Sequence, residues 1–368
     1  MTSDVYYRTI AVMGTFVTIK VIGGGATDQM IEQRTAAVDR AFEWFLEIEA
    51  RCSRFDPASE LMQLTTRVGE AVPVGPILFE AVKFAMAVAA ETGGAFDPTV
   101  GHQMESRGFN REHRTGQTVH TPIASGHATS YRDVLLDAGK RTITLRQPLI
   151  LDLGAVAKGL AVDAAARELQ PLENFAIDAG GDLYLGGCRS PDEPWSVGIS
   201  HPRQPGVLID TIRVSNRAVC TSGDYERTRP GGGGHHILDP RTGASADTVA
   251  SVTVVAKTAM LADAVATAAF VLGPNEGLRL LDRLGVDGLI ITPGLEHYAT
   301  RGMSCDYSLG SETHEAGEAG DAASAVHSHA ERSAADHPGR ADRPGLARRR
   351  PPPGRTQPRE RGPRRGTR

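Results

Sequence analysis

Leu151-Asp152-Leu153-Gly154-Ala155-Val156-Ala157-Lys158-Gly159-Leu160-Ala161-Val162-Asp163 is the stretch from which the fold of this chain is read. It leaves an apolar run, Leu149 to Leu151, with the character of a short strand. It carries one carboxylate at Asp152, turns at Gly154 and continues as a helix through Ala161 and Ala165. Backbone N–H groups at a helix start are unpaired and point outward, so such a turn can receive an anion, and Lys158 one turn later adds a positive charge. Taken alone, Asp152 reads equally well as a turn or capping residue.

On the N-terminal side, residues 9–22 alternate as a strand interrupted at Met13-Gly14-Thr15, and residues 28–52 have the mixed three and four spacing of a long amphipathic helix. A turn at 53–57, a short helix capped by Ser59 and a second long helix over 76–91 follow. The glycines, aspartate and proline of residues 92–101 end that helix. His102, His113, His120 and His127 lie beyond it without ligand spacing and read as surface histidines.

On the C-terminal side, strands are expected at 131–136, 142–145, 175–178, 183–185, 195–199, 207–214, 218–221, 251–255 and 288–291, with helices at 258–272 and 275–284. Paired glycines at Gly93-Gly94 and Gly180-Gly181 let a backbone approach a ligand closely. The expected architecture is α+β, a single large domain over residues 1–310 in which mixed and antiparallel sheets are flanked by helices. Residues 311–368 contain no aromatic residue and, besides Val326 and Leu346, no large aliphatic one, so they are expected to be a disordered Arg/Pro/Gly/Ala-rich tail.

The chain has 368 residues, 40% of them hydrophobic, which is enough for a substantial core. Its net charge of -4 conceals a division, because the tail holds 12 Arg against 8 acidic residues. The body is therefore acidic, which argues against a nucleic-acid partner. Cys52, Cys188, Cys220 and Cys305 are far apart and form no zinc or redox motif. The N-terminal residues lack a basic region followed by an apolar one, and no run is long enough for a membrane span, so a cytoplasmic protein is expected.

In the late helix, Asp263 and Thr267 are four apart and present oxygen atoms on one face. Such donors suit a hard cation such as Mg2+, which finishes its shell with water and substrate phosphates. The alternative has Thr267 bonding back to its own helix and Asp263 facing water. With the glycine turns and the Asp152/Lys158 turn, the pair fits a phosphate-bearing, nucleotide-like ligand. No Walker A loop and no GxGxxG after a first strand is present.

Seven segments in order, Met13-Gly14-Thr15, Gly94-Ala95-Phe96-Asp97-Pro98-Thr99, Asp152 to Gly159, Gly180-Gly181-Asp182, Thr221 to Tyr225, His236 to Gly243 and Ala262 to Thr267, resemble the motifs of the FAD:protein FMN transferases, the ApbE-like flavin transferases. The resemblance implies an enzyme that splits FAD at its pyrophosphate, joins FMN by a phosphoester to a Thr or Ser of an acceptor flavoprotein, and releases AMP. It implies a Mg2+ site of the Ala155 carbonyl, Asp263 and Thr267, with Ala266 where many relatives carry a second carboxylate. Flavin contacts are implied at Met13, Phe55, Gly94, Ala95, Phe96, Asp152, Lys158, Gly181, Asp182 and Ile237, with Phe55 in place of a tyrosine of some relatives. Asp263 and His236 are the implied catalytic residues, His236 near the acceptor hydroxyl. A Mg2+-dependent FAD pyrophosphatase and a non-enzymatic flavin carrier are the rival readings.

Overall fold

A computed structural model describes residues 4–112, 115–122, 128–190, 193–228 and 232–306, the last three without their side chains. The expected tail at 311–368, His113, His127 and the Cys305 side chain lie outside the described residues. The described chain forms β1 (Val5–Val12), β2 (Thr15–Ile22), α1 (Asp28–Cys52), α2 (Glu60–Thr65), β3 (Val72–Pro73), α3 (Pro76–Glu91), α4 (Gly101–Ser106), β4 (Val134–Asp137), β5 (Thr142–Leu145) and α5 (Gly154–Leu169). It continues with β6 (Phe175–Ala179), β7 (Leu183–Gly186), β8 (Trp195–Ser200), β9 (Leu208–Val214), β10 (Arg217–Gly223), β11 (Ser251–Ala256), α6 (Ala259–Leu272), α7 (Pro274–Leu284), β12 (Asp287–Ile291), β13 (His297–Ala299) and α8 (Arg301–Asp306).

Eight strands make one antiparallel sheet in the order β1-β2-β6-β7-β10-β11-β12-β13. β3, β5 and β4 form a small sheet, and β8 pairs with β9. The α+β architecture read from the sequence is therefore what the chain adopts. Strand alternation explains the layering, since successive side chains face opposite sides. Ile177, Cys220, Val254 and Ile290 join α1, α3, α5 and α6 in one core. Their neighbours Ala176, Val219, Val255 and Ile291 pack on the other face beneath Trp195, Ile199, Ile212 and Val214 of the β8–β9 hairpin.

Among the local readings that change, such as the strand expected at 131–136, which pairs only from Val134, two shape the site. The interrupted strand at 9–22 is a hairpin: Met13 and Gly14 both have positive φ, 53° and 78°, which suits a two-residue turn, and β1 folds back along β2. Leu149 to Leu151 are fully buried but belong to no strand. Their backbone is spent on α4 and the turn before it, with Gly101 N–H donating to the Ile150 carbonyl and Asp152 N–H to that of Pro98. A short apolar run identifies burial, not pairing.

The contact that sets the site is the crossing of α5 and α6. A Cβ on Gly159 would lie 2.5 Å from the Met260 backbone, so only glycine permits this approach. One turn on, both oxygens of buried Asp163 accept N–H groups at the start of α6, from Ala259 at 2.7 Å and Met260 at 3.0 Å. A residue inside one helix thus caps another, satisfying two of the N–H groups that helix starts leave open. Burial pushes the Asp163 carboxyl up to about 6, against the pull of those two N–H groups. Asp163→Asn keeps one acceptor and turns an amide N–H toward a donor, so stability should fall by about 2 kcal/mol. A lower urea midpoint at unchanged m-value is the expected result.

Candidate active site

Where these elements converge, a cleft of about 470 Å³ opens, a size usual for small-molecule sites. Met13, Phe55, Ala95, Phe96, Asp152, Ala155, Lys158, Asp182, His236, Ile237, Asp263 and Thr267 all line it. Gly94 and Gly181 do not. Both have positive φ, and both spend their N–H groups within the fold, Gly94 on the Ala89 carbonyl and Gly181 on the Asp178 carboxylate at 2.9 Å. They shape the turns that bring Ala95 and Gly180 to the cleft wall.

Asp152 serves as a cap and also as a cleft residue. Its Oδ1 accepts the Gly154 N–H at 2.8 Å, so the helix-start donors expected to meet an anion are partly taken by the protein's own carboxylate. Its Oδ2 accepts from Arg54 Nε at 2.6 Å. Arg54 is 5% exposed, donates Nη2 to the Phe109 carbonyl and lies 4.1 Å from the centre of the Phe55 ring. One guanidinium therefore ties three walls together: the turn after α1, the turn before α5, and the segment after α4. Burial works against the Asp152 carboxylate, and Arg54 outweighs it, leaving its pKa below the ordinary value.

At the floor, Lys158 Nζ donates to Asp182 and to Asp263 Oδ2, the latter at 3.0 Å. Both carboxylates are buried, so Asp263 does not face water as the alternative reading had it. Burial first, then the Asp182 charge, push the Asp263 carboxyl up, while Lys158 draws it back. Burial disfavours the Lys158 ammonium too, but the two carboxylates outweigh it and raise its pKa. Thr267 Oγ1 is 3.2 Å from Ser222 Oγ on β10. Ala155 departs from helical angles (φ -93°, ψ 18°) and also borders the cleft.

Among the described residues no group of three or more His, Cys, Asp or Glu side chains could hold a metal. The donors that line the floor are oxygens: the carboxylates of Asp182 and Asp263, the hydroxyls of Ser222 and Thr267, and the bent backbone at Ala155. Such a set fits a hard cation that takes the rest of its shell from water and ligand phosphates, and does not fit a thiolate or imidazole metal.

Of the paired histidines, His235 is the structural one. Its Nε2 bonds the Ala246 carbonyl at 2.6 Å, its Nδ1 accepts the Ile237 N–H, and its ring meets Phe270 edge-on. His236 lines the cleft, and its Nδ1 is buried without a partner. Burial, then the charges of Arg227 and His235, bring its pKa down to about 3, so the ring is neutral near pH 7.

Sequence reading missed Arg54, Phe109, Arg111, Glu226, Arg227 and Glu49, which accepts the Met13 N–H at 2.8 Å. Arg54 sat inside a segment read only as a turn, and nothing local marks its pairing with a carboxylate 98 residues on. Arg227 had one available signal, its place two residues beyond the Thr221 to Tyr225 segment.

Comparison with known proteins places the chain in a family. The ApbE family profile matches residues 13–290. A FAD:protein FMN transferase of Treponema pallidum is 33% identical, over 81% of this chain and 87% of its own length. The crystal structure of the ApbE protein from Thermotoga maritima superposes with a TM-score of 0.72 at 31% identity, over 83% of this chain and 99% of that one. The flavin transferase ApbE from Vibrio cholerae gives 0.68 at 27% identity, over 81% and 98%. The fold is that of a flavin-transferase scaffold, and the chain belongs to the ApbE family.

Arg54→Met would leave the half-buried Asp152 carboxylate without its cation, and should cost about 2 kcal/mol at pH 7. A carboxyl with a depressed folded pKa contributes stability above its unfolded value of 3.8, lost as pH falls through the folded value. The gap between wild type and variant should therefore narrow from pH 7 to pH 3 in urea titrations. An equal gap at both pH values would contradict the pairing.

Proposed function

We propose that this chain cleaves FAD at its diphosphate and transfers the FMN half to a Thr or Ser hydroxyl of an acceptor flavoprotein, with Mg2+ as its metal and AMP as the second product. The observation that supports this reading best is that the oxygen donors Asp263 and Thr267, the cation Lys158 and an apolar wall of Met13, Phe55, Phe96 and Phe109 share one cleft. An aromatic flavin suits the wall, since flat rings stack favourably on aromatic faces. A diphosphate suits the floor.

Asp263, Thr267 and the Ala155 carbonyl would hold Mg2+, which when bound neutralises charge on the diphosphate and orients it. Arg227 adds fixed positive charge beside the bridge being cut. The acceptor oxygen attacks the FMN-side phosphorus, a P–O bond to it forms, and the P–O bond to the AMP phosphate breaks in line. The hydroxyl proton passes to neutral His236. Burial and Arg227 make that imidazole a weak base, and an anionic ligand beside Arg227 would strengthen it.

The reaction is tested by incubating the chain with FAD, Mg2+ and a candidate acceptor and reading the acceptor's mass for an added FMN on Thr or Ser. Rapid FMN release with no acceptor present would identify a pyrophosphatase instead, and FAD that stays intact under all conditions would identify a carrier. Asp263→Asn should lower turnover at least about a hundredfold, having lost the metal's charged ligand; wild-type turnover and Mg2+ dependence in that variant would refute the assignment. His236→Ala should lower kcat by roughly 10² to 10⁴ if it takes the proton.

A further inference from the structure

Each oxygen side chain assigned to the metal already has a partner in this structure. Asp263 Oδ2 accepts from Lys158 at 3.0 Å, and Thr267 Oγ1 shares a hydrogen bond with Ser222 Oγ at 3.2 Å. Lys158 also bonds Asp182, so a single ammonium links two carboxylates that are 4% and 6% exposed. Without a cation between them, two buried like charges repel strongly. A divalent ion taking Asp263 must approach a carboxylate that an ammonium already holds.

We propose that Lys158 is a built-in counter-ion of the metal site: it keeps Asp182 and Asp263 together when no ion is present, and competes with the ion for Asp263. Lys158 thereby lowers the affinity for the ion while keeping the cleft folded. It is a positioning residue that acts through the two carboxylates. The geometry behind this is independent of turnover, because the ammonium, both carboxylates and the hydroxyl pair are fixed on α5, α6, β10 and the loop before β7. The inference rests on the metal reading given under Proposed function.

The test is Mn2+ binding to full-length, metal-free protein without nucleotide, followed by electron paramagnetic resonance, with thermal melting in parallel. Lys158→Met should bind Mn2+ at least about tenfold more tightly than wild type, because a charge about one hydrogen bond from the carboxylate has gone. Lys158→Arg, which keeps the charge, and Lys83→Met, at an exposed position, should keep the wild-type Kd. Metal-free Lys158→Met should melt at least 5 °C or so below wild type, a loss Mn2+ reverses. If that variant must be purified with Mn2+, its unfolding on removal of the ion is the same result read as stability. An unchanged or weaker Kd in Lys158→Met would overturn the proposal, as would tightening in Lys158→Arg. Asp263→Asn separates the two levels: if it binds Mn2+ like wild type, the metal reading itself fails, whereas lost binding there with no change in Lys158→Met removes only the role given to Lys158.

Discussion

The close crossing of α5 and α6 is the constraint on which the site depends. Gly159 removes the side chain that would hold the helices apart, and the Asp163 carboxylate locks the distance by capping α6 from within α5. Lys158 is the residue before that glycine and Asp263 lies one turn into α6, so the packing that sets the crossing also sets the ion pair. A helix pair held by backbone contact and a buried carboxylate cannot slide by a turn without exposing unpaired N–H groups. That rigidity lets charged side chains be placed in a cleft to within hydrogen-bond distance.

The cleft is built from charges that would each be costly alone. Burying an ion is tolerated when it is paired and hydrogen-bonded. Arg54 with Asp152 closes one wall, and Lys158 with Asp182 and Asp263 closes the floor. Arg54 also faces Phe55 and reaches the Phe109 carbonyl, so the wall that is polar at Asp152 is aromatic a few ångströms away. An amphipathic ligand with a flat ring and an anionic bridge matches that division. Of the seven buried side-chain polar atoms without a partner among the described residues, two, Arg54 Nη1 and His236 Nδ1, belong to residues lining this cleft, where a ligand can supply what the protein does not.

The long helices were legible because their apolar spacing and caps are local. α1 and α3 run over the residues the pattern marks, and Ser59 and Thr258 cap the helices they precede. The chemical residues were legible through ordered motifs, and Asp152, Lys158, Asp182, His236 and Asp263 do meet in one cleft. Less legible was anything depending on partners distant in sequence. Leu149 to Leu151 looked like a strand because burial and pairing leave the same apolar signature. Met13-Gly14 looked like an interruption because its consequence, a reversal of the chain, shows only when β1 lies against β2.

The sequence by itself determined the α+β class, most helix bounds and the set of oxygen, imidazole and ammonium groups available to the site. These follow from periodicity, capping and residue chemistry, which act over a few residues. Only the tertiary structure decided the pairings: Arg54 with Asp152, Lys158 with both Asp182 and Asp263, Asp163 with the start of α6, and which histidine of the pair is structural. The physical reason is that a buried charge takes its partner from whatever the packing brings within about 3 Å, and that neighbour is chosen by helix crossing and strand order rather than by position along the chain.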